Sequence, residues 1–159
     1  MKIGVISDTH IPTKRKKIPE IVFDLFQDVD LIIHAGDIVE WEVLELLEKY
    51  APVKAVVGNI DPPELKKKLP LFMELELKGY KFAITHGHSI RGHLMNKLSY
   101  TFPEADVIIF GHTHKPCNEM INGQLHFNPG SPTDRRMQKK HSVGIIELGE
   151  DISSEIIEF

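Results

Sequence analysis

Five short apolar segments recur along the chain, and each ends at a polar residue able to bind a metal ion. The segments are KIGVIS, LIIHAG, KAVVG, KFAIT and VIIFG, beginning at residues 2, 31, 54, 81 and 107. Continuous apolar runs of this length predict strands that are buried on both faces of a sheet. Because ligand sites in such sheets lie beyond the carboxyl ends of the strands, we expect these polar residues to converge at one edge.

The first half of the chain alternates between strand patterns and helix patterns. We predict strands at 2–7, 30–35 and 53–58, with helices near 18–28 and 40–50 between them. Strands that are separated by helices in this way predict right-handed βαβ units in a parallel sheet.

The second half of the chain is richer in hairpins. Turn residues at Lys78 and Gly79, at Asn122 and Gly123, and at Gly149 each separate two strand patterns, and a helix near 90–101 interrupts the series. The predicted fold class is therefore α/β, with mixed pairing and with two sheets packed face to face between outer helices.

Length and composition limit the class of protein. A chain of 159 residues is expected to form a single domain, residues 1–159. No segment approaches the roughly 20 apolar residues of a membrane span, and the sequence starts directly with a strand, so we expect a cytoplasmic protein without a membrane partner. The formal net charge of −4 gives no strong signal for nucleic-acid binding. The lone Cys117 excludes an intrachain disulfide and a cysteine-based zinc site.

Seven polar side chains at the predicted strand ends form a candidate metal site. They are two carboxylates, one amide and four imidazoles: Asp8, Asp37, Asn59, His10, His86, His112 and His114. This set is too large for one tetrahedral ion and suits two divalent ions that share a carboxylate. Mixed nitrogen and oxygen ligation is compatible with manganese, iron, cobalt, nickel or zinc.

The spacing of these residues suggests how they are divided between the two ions. Asp8 and His10 are one residue apart, so in an extended segment their side chains would point to the same side and chelate one ion together. Asp37 lies on the strand between the two ligand groups and is the expected bridge. Two divalent ions, two carboxylates and one hydroxide leave a residual charge of about +1, which favours an anionic substrate such as a phosphate ester.

The motifs in chain order resemble those of the calcineurin-like metallophosphoesterases, in their small YfcE-type phosphodiesterase branch. The matching motifs are DTH at 8–10, GD at 36–37, GN at 58–59 with Asp61, HGH at 86–88, GHTH at 111–114 and NPGS at 128–131. The resemblance runs from Lys2 to about Ser131. The first five motifs in this order are jointly specific, whereas DTH or GD alone would carry little information, and NPGS strengthens the placement.

The resemblance implies a four-layer αββα sandwich and a dinuclear hydrolase acting on a small phosphodiester. One ion would be held by Asp8, His10, Asp37 and His114, and the other by Asp37, Asn59, His86 and His112. In this family pattern a hydroxide that bridges the ions attacks phosphorus in line, while both ions bind the phosphoryl oxygens.

One position departs from the family pattern. Many phosphatases of the superfamily carry a histidine directly after the asparagine of GN, where this chain has Ile60. General acid catalysis, worth ~10² to 10⁴-fold, is then unaccounted for, which favours phosphodiesters over monoesters with poor leaving groups. We take His88 and Asn59 as candidate catalytic residues. For His88 two roles stay open, namely contact with the substrate or orientation of a metal ligand.

Basic residues follow two of the ligand loops. Arg15 lies in the basic run at 14–17 after DTH, and Arg135 with Arg136 follows NPGSPTD. Arg15 and Arg135 are candidate substrate-binding residues, and the alternative for both is ordinary solvated surface. The lysines at 66–68 are expected to be surface residues only.

Two other functions are weighed against the phosphodiesterase. The first is a protein-binding scaffold with the same fold, because the retromer subunit of this superfamily has lost catalytic competence at the HGH histidine. The intact His86 argues against that reading. The second is a phosphomonoesterase or nucleotide phosphatase, which Ile60 disfavours. Homo-oligomerisation stays open, and the substrate specificity has no recognisable motif.

Overall fold

The computed structural model describes all 159 residues, which form ten strands and four helices. In chain order these are β1 (Lys2–Ile6), α1 (Glu20–Leu25), β2 (Leu31–His34), α2 (Glu42–Leu47), β3 (Val53–Ala55), α3 (Pro63–Lys68), β4 (Phe72–Leu77), β5 (Tyr80–Thr85), α4 (Leu94–Thr101), β6 (Val107–Phe110), β7 (Cys117–Ile121), β8 (Gln124–Asn128), β9 (Ser142–Leu148) and β10 (Ile152–Glu158).

The strands form two mixed sheets of five, in the orders β10-β9-β1-β2-β3 and β4-β5-β6-β8-β7. Strands β1, β2 and β3 are parallel, as are β5, β6 and β8, and the other pairings are antiparallel. The antiparallel pairs β4–β5, β7–β8 and β9–β10 are the three predicted hairpins, which are thereby confirmed. Lys78 and Asn122 adopt positive φ in two of these turns, at 53° and 52°.

Alternate side chains of the central strands enter different apolar layers. In β1, Ile3 and Val5 pack between the two sheets, whereas Ile6 packs against α1 and α2 on the outer face. In β6, Val107 and Ile109 enter the layer between the sheets, and the intervening residues pack against α4. The α/β fold with four layers is confirmed, and its strands are buried on both faces as their continuous apolar runs predict.

The helices are shorter than their sequence patterns. Pro19 is extended, with φ −58° and ψ 140°, so α1 begins only at Glu20, and Gly92 with φ +97° delays α4 to Leu94. Helix α3 was not predicted, although its PPELKKK sequence places a proline in the first turn, which is a common start signal. None of the four helices has the length and apolar character required to cross a membrane.

Strand β3 ends at Ala55 and not at residue 58. The reason is a change of partner, because the Val56 N–H still donates to the His34 carbonyl oxygen at 3.1 Å, whereas the Val57 N–H donates to that of Pro70 at 2.9 Å. The chain therefore stops pairing with β2 before it reaches the GN motif, and the motif lies in the loop that follows β3.

Candidate metal centre

Asp8, His10 and His114 form the first cluster of ligand atoms. Asp8 Oδ1 lies 3.6 Å from His10 Nε2 and 3.1 Å from His114 Nε2. The two imidazole rings meet edge to face with centroids 4.9 Å apart. All three residues are buried, and one ligand atom from each lies within 4.8 Å of the others.

Asp37 lies between this cluster and a second histidine. Its Oδ2 is 3.4 Å from His10 Nε2 and 3.3 Å from His86 Nε2. Asp8, Asp37 and His86 also each place one ligand atom within 4.8 Å of the others. The position of Asp37 Oδ2 between His10 and His86 is the one that a bridging carboxylate needs.

Asn59 and His112 occupy the solvent side of the same region. Asn59 Oδ1 is 3.1 Å from His112 Nδ1, and the His112 ring lies 5.2 Å from that of His86 between centroids. Asn59 is exposed and His112 is half-buried. The structure thus brings all seven predicted ligands to one edge, with these two on the side from which a substrate can enter.

Five of the ligand atoms are buried without any hydrogen-bond partner. They are Asp8 Oδ1, His10 Nε2, Asp37 Oδ2, His86 Nε2 and His114 Nε2. Unpartnered polar atoms in protein interiors are uncommon and costly, so five that face one another require an explanation. Their donor types and mutual distances fit divalent cations held by nitrogen and oxygen.

Hydrogen bonds at the opposite ring nitrogens prepare two of the histidines for ligation. His86 Nδ1 donates to the Ala35 carbonyl oxygen at 2.8 Å, and His114 Nδ1 donates to that of Asp134. A proton fixed on Nδ1 leaves the Nε2 lone pair free to bind a cation.

The buried carboxylates and imidazoles of the site strongly affect one another's ionisation. Burial alone would raise the pKa values of Asp8 and Asp37, but the adjoining imidazoles outweigh burial and lower both. Burial opposes protonation of His10, yet the two carboxylates raise its pKa to about 9, and they also raise the pKa of His86. Divalent cations would therefore replace imidazole protons as the balancing positive charge.

The backbone at the ligands is not extended. Asp8 and His10 have φ of 54° and 49°, and Asp37, His112 and His114 also lie in the left-handed region. Asp8 and His10 therefore do not lie in an extended segment, contrary to the prediction, although their side chains do meet. Left-handed conformations cost non-glycine residues about 1–3 kcal/mol each and persist where surrounding contacts impose them.

Two glycines allow the ligand loops to approach each other closely. A Cβ at Gly58 would lie 2.0 Å from Asp37 Oδ1, and a Cβ at Gly111 would lie 2.9 Å from Asp8 Oδ2. Any larger residue would push a ligand carboxylate out of place.

Asp61 fixes the loop that carries Asp37. Its carboxylate accepts the N–H groups of Ile38 and Val39 at 2.7 Å, that of Gly58 at 2.7 Å and that of Asp37 at 3.2 Å. A single buried acid thus ties the loop after β2 to the loop after β3. The sequence places Asp61 beside the GN motif, but no role follows from that position alone.

The NPGS segment both makes a turn and supports the ligand loops. Asn128 Nδ2 donates to the Gly111 carbonyl oxygen at 2.9 Å, while its Oδ1 accepts the N–H of Gly130 at 2.9 Å. Ser131 Oγ donates to the backbone carbonyl oxygen of Asp8 at 2.8 Å. Asn128 therefore both stabilises the turn and supports the loop that carries Gly111.

Asp134 contacts two metal-site histidines and was not singled out from the sequence. Its Oδ2 lies 3.8 Å from His10 Nδ1 and 4.0 Å from His114 Nδ1, and Lys14 Nζ is 3.7 Å away. The only signal in the sequence is an acid shortly after NPGS, which is too weak to assign a role.

We expect Asp134→Ala to weaken Mn²⁺ binding by about 10 to 100-fold, the usual effect of losing a carboxylate that orients ligating histidines. The variant keeps the backbone carbonyl that accepts from His114 and removes only the carboxylate. Isothermal titration calorimetry measures the affinity, with the exposed Asp151→Ala as the matched control. Equal Mn²⁺ affinity in both variants would contradict a positioning role for Asp134.

His88 lies beside the ligands with its ring 5.4 Å from that of His86 between centroids. It is half-buried, and its Nδ1 has no partner. Burial first, and then the nearby His86, lower the pKa of His88, so its imidazole is neutral at pH 7. Ile60 exposes its side chain next to Asn59, and its N–H donates to Asp37 Oδ1 at 3.0 Å.

The predicted substrate-binding arginines are both exposed. Arg15 Nη2 lies 3.2 Å from His141 Nε2, and Arg135 Nη1 donates to the Lys139 carbonyl oxygen at 2.7 Å. Neither of them touches a metal ligand directly.

Two other cations contact the backbone of predicted metal ligands. Arg136 Nη1 donates to the His112 carbonyl oxygen at 3.4 Å, and Lys66 Nζ donates to that of Asn59 at 2.9 Å. Lys66 is a surface residue, as expected, but it is held against a ligand loop.

Comparisons with known proteins agree with this geometry. Residues 1–151 match the family described as the calcineurin-like phosphoesterase superfamily domain. A probable metallophosphoesterase of Methanothermobacter thermautotrophicus is 41% identical over 160 residues, covering 99% of this chain and 92% of that protein. A phosphodiesterase of Methanocaldococcus jannaschii is 36% identical over 144 residues, covering 82% of this chain and 83% of that protein.

The fold also matches solved structures. A Vps29 variant from Entamoeba histolytica superposes with a TM-score of 0.82 and 22% identity, covering 100% of this chain and 99% of that one. At that identity the likeness concerns the fold alone, whereas the sequence matches establish the family. This chain belongs to the calcineurin-like phosphoesterase superfamily.

Proposed function

We propose that the protein is a phosphodiesterase that uses two divalent metal ions. The observation that carries the proposal is the group of five buried, unpartnered ligand atoms around Asp37. Family membership supports hydrolysis of phosphate esters, and a relative named as a phosphodiesterase supports the diester class.

Each ion has its own ligand set in this proposal. Asp8, His10, Asp37 and His114 would hold one ion, and Asp37, Asn59, His86 and His112 would hold the other. When bound, the ions supply the acidity that makes water a nucleophile near neutral pH and the charge that stabilises the phosphoryl oxygens.

The chain's own residues position and select the substrate. Asn59 and His112 stand at the open side, so the phosphate approaches over them. Asp61 keeps Asp37 in place through four backbone N–H groups, which limits motion of the shared ligand. His88 has an unpartnered Nδ1 beside the site, and because its lowered pKa favours the neutral imidazole, it would be a weaker proton donor than an imidazolium.

The preference for diesters is inferred from Ile60, because no histidine directly follows Asn59 to act as a general acid. We expect metal-stripped protein, reloaded in turn with manganese, iron, cobalt, nickel or zinc, to hydrolyse bis(p-nitrophenyl) phosphate with kcat/KM at least about tenfold above p-nitrophenyl phosphate. Ile60→His should raise the monoester rate, because general acid catalysis is worth ~10² to 10⁴-fold when the geometry is right.

Ile21→His is a matched control, since Ile21 is exposed to 40% and Ile60 to 42%, and Ile21 lies on α1 away from the ligands. This control should leave the ratio of diester to monoester activity unchanged. Monoester activity equal to or above diester activity in the parent protein would contradict the diester assignment and favour a phosphomonoesterase or nucleotide phosphatase.

A protein-binding scaffold is the second candidate function, and the fold likeness to Vps29 is the observation behind it. Such a protein would show negligible hydrolysis of either ester with every metal ion tried. The intact set of seven ligands favours the enzyme.

A further inference from the structure

More than half of the cations of this chain lie in three short segments, and each segment has one member in contact with the loops or the supporting residue of the candidate metal site: Lys14, Lys66 and Arg136. Residues 14–17, 66–68 and 135–140 contain eleven of the nineteen Lys and Arg residues and no acidic residue, although the net charge is −4. These three segments, which we call the basic rim, follow the ligand loops after β1 and β3 and the NPGS segment after β8. The negative net charge of the chain does not reveal this uneven distribution of positive charge.

Contacts attach the rim to both ligand groups. On one side, Lys14 Nζ lies 3.7 Å from Asp134 Oδ2, and Asp134 in turn contacts His10. On the other side, Lys66 and Arg136 donate to the backbone carbonyl oxygens of Asn59 and His112. The rim therefore lies beside the first ligand cluster and beside the open side of the second.

The charge on the rim exceeds what one phosphodiester requires. Lys14, Lys17 and Lys140 each have a carboxylate within 4.0 Å, from Asp134, Glu20 and Glu158 respectively. Arg15, Lys66 and Arg136 form no such ion pair. A single diester carries one negative charge, and metal ions bound at the centre would already neutralise it. Unpaired cations on both sides fit a substrate with further phosphates on both sides of the scissile one.

We propose that the physiological substrate is a single strand of nucleic acid, whose backbone phosphates bind the basic rim on both sides of the metal centre. This inference rests on the proposed function. In the reaction a water oxygen bonds to phosphorus, the bond from phosphorus to one nucleoside oxygen breaks, and that oxygen takes a proton. The products are one strand ending in a phosphate monoester and one ending in a hydroxyl.

A flexible single strand fits the arrangement better than other polyanions. Most of the ligand atoms are buried, so a flat anionic membrane could not bring a phosphate to them, and a small nucleotide would occupy only one side of the rim. The rim segments contain no aromatic residue, which predicts binding through phosphates without base stacking and hence without sequence preference.

The test compares decamers of deoxythymidylate and uridylate with bis(p-nitrophenyl) phosphate on Mn²⁺-loaded protein across a range of NaCl concentrations. We expect log kcat/KM for at least one decamer to fall with log salt with a slope of about −2, from about three phosphate contacts at −0.7 each. The small diester should show a much shallower dependence.

The double variant Lys66→Gln/Arg136→Gln should lower the ratio of decamer to small-diester kcat/KM at least about tenfold and flatten the salt slope. The control is Lys49→Gln/Lys78→Gln, which removes the same charge from positions just before β3 and just before β5. It should leave the activity ratio and the salt slope unchanged. Asp37→Asn protein prepared in parallel excludes a contaminating nuclease.

The outcomes separate this inference from the proposed function. Failure to hydrolyse the small diester with any of the metal ions would contradict the proposed function itself. Hydrolysis of the small diester without cleavage of either decamer, or equal effects of the rim and control variants, would overturn the strand proposal alone. Preference for a dinucleotide over the decamers, or rim-dependent binding only to phosphatidylserine vesicles, would also overturn it.

Discussion

Replacing Asp37 with Asn is expected to abolish phosphodiester turnover while the chain still folds and melts cooperatively. Asp37 Oδ2 faces His10 and His86 at 3.4 and 3.3 Å, so the substitution removes a charge that both proposed ions share. Loss of the shared ligand weakens both metal sites at once, and we expect kcat to fall by several orders of magnitude. Steady-state hydrolysis of bis(p-nitrophenyl) phosphate at saturating Mn²⁺ measures the effect.

Asp30→Asn provides the control for this substitution. Asp30 immediately precedes β2, where its Oδ2 accepts the N–H of Lys2 at 2.7 Å, whereas Asp37 follows the same strand. The control should keep kcat close to that of the parent. Turnover of the Asp37→Asn protein within tenfold of the parent, at saturating Mn²⁺, would contradict the bridging assignment.

His86→Ala is expected to lower activity far more than His88→Ala. His86 is fully buried with an unpartnered Nε2 facing Asp37, whereas His88 is half-buried, with its ring centroid 5.4 Å from that of His86. Loss of a ligand should cost several orders of magnitude, because the second ion and the positioning that it provides are lost. Loss of His88 should cost about 10 to 100-fold. Single-turnover hydrolysis and Mn²⁺ titration of both variants measure these effects.

This pair of variants also separates an enzyme from a scaffold. A scaffold would show negligible hydrolysis in the parent and unchanged partner binding in both variants. If His88→Ala proves more damaging than His86→Ala while Mn²⁺ binding is intact, His88 acts directly on the substrate and the division of roles within HGH must be reversed.

The layered fold could be predicted because its determinants are local. Continuous apolar runs such as VIIF at 107–110 fit only strands with two covered faces, and glycine-containing turns fix the hairpins. The helix ends were less predictable. Pro19 and Gly92 shorten two helices through their own backbone angles, which cannot be inferred from the hydrophobic pattern.

The convergence of the seven ligands could also be predicted, because strand ends and motif order specify it. The backbone conformation of Asp8 and His10 could not, since long-range hydrogen bonds impose it. The Asp8 N–H donates to the Gly36 carbonyl oxygen at 2.9 Å and the His10 N–H to that of Asp37 at 3.1 Å, across segments far apart in sequence. Asp134 and Lys66 were missed for the same reason, because only the fold brings them to the site.

An anomalous-scattering map of crystals saturated with Mn²⁺ tests the central claim most directly. We predict two ions about 3.5 to 4 Å apart, with Asp37 bound to both. The remaining ligands should be Asp8, His10 and His114 on one ion, and Asn59, His86 and His112 on the other. A single ion at saturation, or ions held by residues outside these seven, would contradict the dinuclear site and the mechanism that depends on it.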